Sequence, residues 1–388
     1  MGNSNTINRL PFNKPFIAGR ELYNIAEAVL KNQHLSGDGN FTHLCQDWLV
    51  QHIGGVKAML THSCTGALEM SAILANITTG DEIILPSFTF VSTANAFVLR
   101  GGVPVFVDIR KDTLNIDEAK IEAAITSKTK AIVPVHYAGV PCAMNKIMEI
   151  ARRHNLLVIE DAAQALLSSY EGKRLGAIGD LGCFSFHETK NIITGEGGAL
   201  LINNPIFSER AEIIWEKGTN RKKFFRGEVD KYTWVDIGSS FLPSELTAAF
   251  LAAQFERAHE IIAKRKRLFM LYIDLLKGVV ERIASPNSEE DVNGHLFYLI
   301  TNSLDERHRL ITWLADHGIS SVFHYVPLHS SPAGRRLGRV SGDMRVTDEM
   351  GERLLRLPLF YEMTEQDVER VCSLVLQFYQ KNNAKFKT

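Results

Sequence analysis

Lys190 is the residue of this sequence with the clearest potential for covalent chemistry. It follows an apolar run, Gly182–Phe186, that is typical of a strand, and it precedes a glycine-rich turn at Gly195, Gly197 and Gly198. A lysine becomes nucleophilic only when burial or a neighbouring charge lowers its pKa, and a pocket at a strand end can do this. Most lysines are solvated surface groups, so Lys190 alone indicates no function.

Two carboxylates, Glu160 and Asp161, follow a second apolar run, Leu156–Ile159. Side chains alternate along a strand, so these two are expected on opposite faces of the sheet, and one of them can point into a site. A buried carboxylate there needs a cationic or hydrogen-bonding partner to stay ionised. The residues alone leave open which one does so, and both could simply cap the next turn.

Small hydroxylated residues precede a predicted helix over Thr65–Ala75. The start of a helix has unpaired N–H groups and the positive end of the helix dipole. Thr65 and the amides of Gly66 and Ala67 therefore form a candidate phosphate site. An ordinary helix cap would have the same sequence.

These three features together meet the requirements of one cofactor. A lysine can form an imine with pyridoxal, a strand-end carboxylate can pair with the pyridinium nitrogen, and a helix start can hold the phosphate. No GxGxxG or Walker sequence opens the predicted sheet, which argues against dinucleotide and ATP phosphate loops. The combination predicts pyridoxal 5′-phosphate.

A basic segment, residues 217–231, has six lysines and arginines against two acidic residues. Phe224, Phe225, Tyr232 and Trp234 lie in it or beside it. Such a segment could bind a diphosphate and stack on a base, and a solvated loop would fit equally well.

The chain alternates between apolar runs and helical stretches over its first two thirds, which predicts βαβ units and a mostly parallel sheet. The predicted strands are Glu82–Leu85, Val103–Val107, Ala131–Val135, Leu156–Ile159, Gly182–Phe186 and Ala199–Ile202. The predicted helices between them include Thr65–Ala75, Ser92–Arg100, Asp117–Ala124 and Met144–Arg153. A long helical tract follows over Pro243–Lys277, and then a smaller α+β region with Leu296–Thr301, Glu306–Ala315, Ser321–Tyr325 and Val368–Tyr379.

Composition excludes several classes of protein. The 388 residues carry 43 basic and 44 acidic side chains, and this balance argues against a general nucleic-acid binder. Five widely spaced cysteines without a CxxC pair favour a reducing compartment. No stretch approaches the roughly 18 apolar residues of a membrane span, so we expect a cytoplasmic protein with no membrane partner.

Five motifs in order make this sequence resemble the sugar aminotransferases of fold type I known as the DegT/DnrJ/EryC1/StrS family. The motifs are Ser63–Leu68, Pro86–Phe90, Glu160–Gln164, Ser185–Lys190 and Gly195–Gly198. The resemblance covers essentially the whole chain. It implies an α/β fold with a large domain over residues 1–250, whose seven-stranded, mostly parallel sheet is covered by helices. A long helix and a small α+β domain are implied over residues 251–388.

The resemblance assigns catalytic and cofactor contacts residue by residue. Lys190 would form the imine with the cofactor, and Asp161 would pair with the pyridine nitrogen. Gln164 would donate a hydrogen bond to the phenolic oxygen of the cofactor.

The phosphate and the ring face are assigned in the same way. Ser185, Thr65 and the Gly66 amide would hold the phosphate. Phe90 would stack on the ring, with Phe88 as the possible substitute.

One segment departs from the family pattern. Many members have Gly-x-Asn-x-Arg where this chain has Gly238–Leu242, and the asparagine reaches the phosphate from the neighbouring subunit. Here Ser240 stands at the asparagine position and Leu242 at the arginine position. Ser240 retains one possible hydrogen bond.

Four longer segments also resemble one branch of this family: Phe186–Asn191, Lys217–Arg221, Val229–Trp234 and Val322–His329. This resemblance implies a specific reaction, the amination of the 4-keto group of dTDP-4-keto-6-deoxyglucose by L-glutamate to give the galacto product. The resemblance also implies a homodimer with active sites at the interface. The candidate contacts of the nucleotide sugar are His187, Arg221, Arg226, His324, Tyr325 and His329.

Three alternatives remain open at this point. Another nucleotide ketosugar or the gluco epimer would need only different pocket side chains, and a non-catalytic regulator could use the same scaffold. A metal hydrolase would use His136, His324 and His329, but no HxH or HExxH spacing accompanies them, so we expect no metal. The dehydratases of this fold have histidine at the position of Lys190, which disfavours that reaction.

Overall fold

A computed structural model describes residues 9–277 and 292–385 of the chain. Within these ranges the strands are β1 Lys57–Thr61, β2 Glu82–Pro86, β3 Val103–Val107, β4 Thr129–Ile132, β5 Leu157–Asp161, β6 Ser169–Tyr170, β7 Lys173–Arg174, β8 Leu181–Ser185, β9 Gly198–Ile202, β10 Phe297–Ile300, β11 Arg339–Val340 and β12 Leu354–Leu357. The α-helices are α1 Glu21–Ala26, α2 Asn40–His52, α3 Cys64–Leu74, α4 Val91–Val98, α5 Glu118–Ala124, α6 Met144–His154, α7 Ser208–Trp215, α8 Arg221–Phe225, α9 Glu245–Glu256, α10 Ala258–Leu275, α11 Leu304–Asp316, α12 Pro332–Leu337, α13 Arg345–Arg353 and α14 Glu365–Lys385. No helix in the described ranges is both long and apolar enough to cross a membrane.

The central sheet has eight strands in the order β1-β9-β8-β5-β4-β2-β3-β11. β9 runs antiparallel to both of its neighbours, and the other neighbouring pairs are parallel. The predicted α/β fold with a mostly parallel sheet is therefore confirmed. The described sheet has one strand more than the predicted seven, and its edge strand β11 has only two residues.

The apolar runs form strands because both faces of the sheet are covered. Ile83 and Leu85 of β2 face one core, which includes Leu68 of α3. Ile84 between them faces the other core, which includes Ile147 of α6. The sheet thus lies between two helical layers, and its strand ends are the places left for polar groups.

The predicted tract Pro243–Lys277 is two helices, α9 and α10. They meet at Arg257, whose backbone angles (φ −112°, ψ 11°) are not helical. α10 then packs into a second core with α11, α14 and the antiparallel pair β10 and β12. This is the small α+β domain that the sequence predicts.

The prediction of a strand at Ser321–Tyr325 is wrong. Val322 forms a single bridge with Arg356 and the pairing ends there. In a regular strand, successive side chains point to opposite faces of the sheet. His324 and Tyr325 instead both line one cavity. The elements that the sequence did not predict include β1, β11, β12 and the N-terminal helices α1 and α2.

Two segments connect the predicted domains across the chain. Leu10 pairs with Ile319 of the C-terminal region, and β11 joins β3 at the edge of the large sheet. The N-terminal part of the chain therefore pairs with the small domain, and the C-terminal part adds a strand to the large sheet. The domain division at residue 250 remains a prediction.

Glu160 is a fully buried carboxylate at the end of β5. It accepts hydrogen bonds from the backbone N–H groups of Gly176, Ile178 and Gly179 at 2.7–2.8 Å, and its Oε2 lies 2.9 Å from His136 Nε2. These bonds satisfy the buried charge and tie the loop before β8 to β5. Glu160 therefore has a structural role.

Replacing Glu160 with Gln should destabilise the fold strongly. The amide nitrogen would face backbone N–H donors, so we expect the free energy of unfolding to fall by about 3 kcal/mol. Urea denaturation followed by circular dichroism measures this change. Glu149→Gln on the exposed face of α6 is the control, with an expected change below about 0.5 kcal/mol. Equal transition midpoints for the two variants would contradict the assignment.

Candidate active site

A cavity of about 490 Å³ lies at the carboxyl ends of the parallel strands. Val135 follows β4, Asp161 ends β5 and Ser185 ends β8, and all three line it. The starts of α3 and α4 form a second side, and β12 of the small domain forms a third. Ligands of open parallel sheets bind at this edge.

Lys190 lines this cavity from the turn between β8 and β9. Its backbone N–H donates to His187 O at 2.8 Å, which fixes the turn. Its ammonium has no hydrogen-bond or ion-pair partner in the part of the chain that the structure describes. Burial lowers the pKa of Lys190, and the nearby Arg356 guanidinium lowers it further, while the Asp161 carboxylate opposes both.

Asp161 is the strand-end carboxylate that faces the cavity. Its Oδ2 accepts a hydrogen bond from Thr93 Oγ1 at 2.7 Å, and its Oδ1 accepts one from Ala163 N at 3.1 Å. Thr89 Oγ1 lies 2.8 Å from Thr93 Oγ1 and supports that donor. The alternation along β5 thus separates Asp161 from the structural Glu160, which resolves the choice that the sequence left open.

Hydroxyl groups cluster at the N-terminus of α3. Thr65 Oγ1 lies 2.7 Å from Ser92 Oγ, and both residues line the cavity with Ser185. The Gly66 amide is placed differently from the expectation, because it donates to the capping Ser63 Oγ at 3.0 Å and Gly66 does not line the cavity. The candidate phosphate site is therefore built from side-chain hydroxyls as well as the helix end.

The glycine-rich turn is required by close packing against this helix end. A Cβ atom on Gly198 would lie 2.4 Å from Cys64 N and from Ser63 C, so no side chain fits there. Gly195 has a φ of +80°, which favours glycine. The turn lets the Lys190 segment approach the start of α3.

Gln164 and Phe90 lie at the cavity wall as expected. Gln164 Oε1 accepts from Ala138 N at 2.7 Å, and its Nε2 donates to Tyr325 Oη at 2.8 Å, which leaves its second amide hydrogen available. The Phe90 side chain is 58% exposed at the cavity mouth, whereas Phe88 is buried behind the wall. The geometry therefore favours Phe90 over Phe88 as the stacking residue.

Three of the predicted substrate contacts are in the cavity wall: His187, His324 and Tyr325. The His324 ring stacks on Tyr325 with centroids 3.7 Å apart, and His324 Nδ1 lies 2.7 Å from Tyr137 Oη. His187 Nδ1 lies 2.9 Å from Thr189 Oγ1. Each ring is thus held in place by a neighbour.

Arg221 and Arg226 do not line the cavity of their own chain. Arg221 pairs with Glu216 at 3.5 Å, and Arg226 pairs with Glu212 at 2.9 Å and with Glu228 at 2.5 Å. Five of the six basic side chains of the segment pair with acids, which are Asp38, Glu209, Glu212, Glu216 and Glu228. A role for these two arginines toward the nucleotide sugar therefore stays a prediction.

His329 and Ser240 also lie outside this cavity. His329 Nδ1 is 2.8 Å from Ser87 Oγ, and its Nε2 is 3.2 Å from Asp348, so its ring supports the loop after β2. Ser240 is exposed and pairs with Glu216 through a backbone bridge. A role for Ser240 toward a neighbouring subunit stays a prediction.

The histidines of the metal-hydrolase alternative have separate partners. His136 bonds Glu160, His324 bonds Tyr137, and His329 bonds Ser87. Within residues 9–277 and 292–385 no three His, Cys, Asp or Glu side chains are grouped as metal ligands.

Several residues of the cavity were missed from the sequence. Thr93 comes from α4, Arg265 from α10, His295 from the segment before β10 and Arg356 from β12. Only Arg356 gave a local signal, because it is a charge within the apolar run of β12. The other contacts depend on which elements pack together, and no motif encodes that.

The donor set fits pyridoxal 5′-phosphate. Lys190 has an amine without a partner among the described residues, and Asp161 is a carboxylate held by two donors. The Thr65 and Ser92 hydroxyls lie together at the start of α3 and line the cavity with Ser185. These are the groups that an aldehyde, a pyridine nitrogen and a phosphate require. Gln164 adds a side-chain donor between them.

The model of the DegT/DnrJ/EryC1/StrS aminotransferase family matches residues 17–376. The GDP-perosamine synthase of Caulobacter vibrioides is 34% identical over 376 residues, which is 95% of this chain and 98% of that protein. The spore coat polysaccharide biosynthesis protein SpsC of Bacillus subtilis is 32% identical over 377 residues, 94% of this chain and 96% of that one.

A solved structure has the same fold. The putative sugar aminotransferase Spr1654 of Streptococcus pneumoniae, in its pyridoxamine phosphate form, has a TM-score of 0.89 and 25% identity and covers 98% of this chain and all of its own. That protein has also been solved in its pyridoxal phosphate form. These comparisons confirm pyridoxal phosphate as the cofactor.

Replacing Asp161 with Asn should preserve the fold and remove most activity. A neutral amide cannot hold the proton on the pyridine nitrogen, so we expect kcat to fall by about 100-fold or more. Steady-state kinetics and a spectroscopic titration of cofactor binding measure the two consequences. Asp316→Asn on the surface of α11 is the control, and a D161N enzyme as active as this control would contradict the role.

Proposed function

We infer that this chain, which belongs to the DegT/DnrJ/EryC1/StrS aminotransferase family, aminates the 4-keto group of a nucleotide-linked 4-keto-6-deoxyhexose. The proposed amino donor is L-glutamate. The proposed acceptor is dTDP-4-keto-6-deoxyglucose, and the proposed product is dTDP-4-amino-4,6-dideoxygalactose. The chemistry, a sugar aminotransferase with pyridoxal phosphate, follows from the family, and the particular substrates are the proposal.

One observation supports the reaction more than any other. The Lys190 amine and the Asp161 carboxylate lie in one cavity, close enough to influence each other electrostatically, and neither is neutralised by an ion pair among the described residues. Bound pyridoxal phosphate supplies a cationic ring that accepts electrons from the carbon that loses its proton. Asp161 keeps the ring nitrogen protonated for this purpose.

Lys190 is the base that can move the proton. Its lowered pKa increases the neutral fraction of the amine near pH 7, and a neutral amine can take a proton from the α-carbon of the donor. In the separate half-reaction with the sugar, the protonated form of this amine can give a proton to C4 of the sugar. Burial raises the pKa of the Tyr325 phenol further above neutrality. Its hydroxyl accepts a hydrogen bond from Gln164, and its own hydrogen can be donated to a sugar oxygen.

A GDP-linked 4-ketosugar is the second candidate acceptor. It is favoured by the 34% identity to a protein named GDP-perosamine synthase. For the configuration of the new amine at C4, the alternative to the proposed product is its gluco epimer.

The cysteines fit the compartment expected from the sequence. All five are free, and burial raises the pKa of Cys45, Cys64, Cys142 and Cys183. Free thiols are typical of a reducing environment. A cytoplasmic location is the corresponding proposal.

A homodimer is also proposed, on the basis of an exposed aromatic surface formed by Phe224, Phe225, Tyr232 and Trp234. The Phe224 ring lies 5.7 Å from Phe225 and 5.8 Å from Tyr232, and Trp234 is 77% exposed. Contiguous exposed aromatics mark interaction surfaces more often than scattered ones do. Ser240 follows this surface in the chain, where a neighbouring subunit could use it.

The substrate assignment is tested with a panel of acceptors. The purified enzyme, L-glutamate and dTDP- or GDP-linked 4-keto-6-deoxyhexoses are incubated, and products are identified by mass spectrometry and NMR. We expect amination of the dTDP ketosugar with galacto stereochemistry. Lys190→Ala should lose at least about 1,000-fold in turnover and still bind pyridoxamine phosphate, whereas the exposed control Lys146→Ala should keep full activity. A GDP sugar turned over preferentially would establish the second candidate, and an active K190A enzyme would exclude the mechanism.

The dimer is tested by replacing Phe225 with Glu. A charge in the aromatic surface should raise the dissociation constant of the dimer by about tenfold or more, because a desolvated contact is lost. Sedimentation velocity over a concentration series measures this. Ile206→Glu, at another exposed apolar residue, should leave the dimer intact. A wild-type monomer at all concentrations, or equal behaviour of the two variants, would contradict the proposed surface.

A further inference from the structure

Arg356 is a cation on the cavity wall that has unused hydrogen-bond donors. It is the third residue of β12, and its Nε–H donates to Phe323 O at a long distance of 3.4 Å. A guanidinium has five N–H groups. The four on its Nη atoms have no acceptor in the described part of the chain, and no carboxylate there pairs with it.

Arg265, in the same cavity wall, shows the contrast. Its Nε and Nη2 donate to the backbone oxygens of Gly294, His295 and Leu359 at 2.7–3.1 Å, so three of its five N–H donors are used within the fold. Arg265 therefore holds the small domain together. Arg356 has no comparable structural task, so its donors are free for a ligand.

The surroundings of Arg356 favour the binding of an anion. The Phe12 ring lies 4.8 Å from the guanidinium carbon and covers one face. Burial lowers the pKa of Arg356, as expected for a cation without a counter-charge. The cavity wall has two carboxylates, Asp161 and Glu196, and Asp161 is already bonded to Thr93 and Ala163.

We propose that Arg356 binds a carboxylate of the amino donor, and the same carboxylate of the 2-oxo acid product, through its Nη atoms. This rests on the proposed function. The cofactor phosphate has its own site at the start of α3, on the large domain. The donor must bring its α-carbon to Lys190, so its carboxylate lies in the same cavity, where the fork of a guanidinium matches it. The diphosphate of the sugar nucleotide is the competing anion.

The two half-reactions separate these anions. The pyridoxal phosphate form is mixed with L-glutamate alone, and the pyridoxamine phosphate form is mixed with the nucleotide sugar alone, each followed by the cofactor absorbance. Arg356→Gln should weaken apparent glutamate affinity by about 10- to 100-fold. Arg356→Lys should show a smaller loss, since it keeps the charge and loses the fork. Affinity for the nucleotide sugar should change less than about threefold.

Direct binding provides a readout that needs no turnover. Calorimetry with glutarate, an unreactive dicarboxylate, should show the same loss in Arg356→Gln as glutamate does. Arg336→Gln, an exposed arginine on α12 with the same charge change, is the control and should match the wild type. L-Alanine distinguishes the two carboxylates of glutamate: an equal loss assigns Arg356 to the α-carboxylate, and a loss for glutamate alone assigns it to the side chain.

Two results would overturn the proposal. One is unchanged glutamate and glutarate affinity in Arg356→Gln with the cofactor bound. The other is a loss confined to the nucleotide sugar, which would assign Arg356 to the diphosphate. A wild-type enzyme that reacts with glutamate and aminates no nucleotide sugar would refute the proposed acceptor and leave this test valid.

Discussion

The separation of Glu160 and Asp161 onto opposite faces of β5 is the constraint on which the site depends. Glu160 binds the loop before β8 from inside the core, and Asp161 faces the cavity. β8 pairs with β5 in parallel and then leads to Lys190. The hydrogen bonds of Glu160 therefore help to position both Asp161 and Lys190. A shift of register by one residue would exchange the two carboxylates and put the wrong one in the site.

The small domain is held to the Lys190 turn by a short polar network. Asn191 Nδ2 donates to Asn293 O at 3.1 Å, and its Oδ1 lies 3.0 Å from His295 Nδ1. Asn293 Nδ2 in turn donates at 2.9 Å to the backbone oxygen of Gln164, a residue of the cavity wall. The residue after the lysine and the segment before β10 therefore position each other, and the cavity needs both domains to be complete.

The sequence predicted the features of the structure that depend on local sequence patterns. The alternation at Glu160 and Asp161 and the hydroxyl-rich start of α3 led to the cavity, and the buried runs led to the parallel sheet. The predicted strand at Ser321–Tyr325 failed because periodicity does not show which partners a segment meets. Net charge likewise did not show that Arg221 pairs with Glu216. Arg265 and Thr93 reach the cavity through long-range packing, so neither could be found before the fold was known.

Burial has opposite effects on the reactivity of Lys190 and Cys64, two potential nucleophiles of the cavity. It lowers the pKa of Lys190 and raises the pKa of the neighbouring Cys64, because it favours the neutral form of each group. The neutral amine is the reactive form of lysine, whereas the neutral thiol is the unreactive form of cysteine. Cys64 is also at the start of α3, where a helix dipole alone would favour the thiolate. Burial of the cavity therefore favours the reactive form of Lys190 and the unreactive form of Cys64.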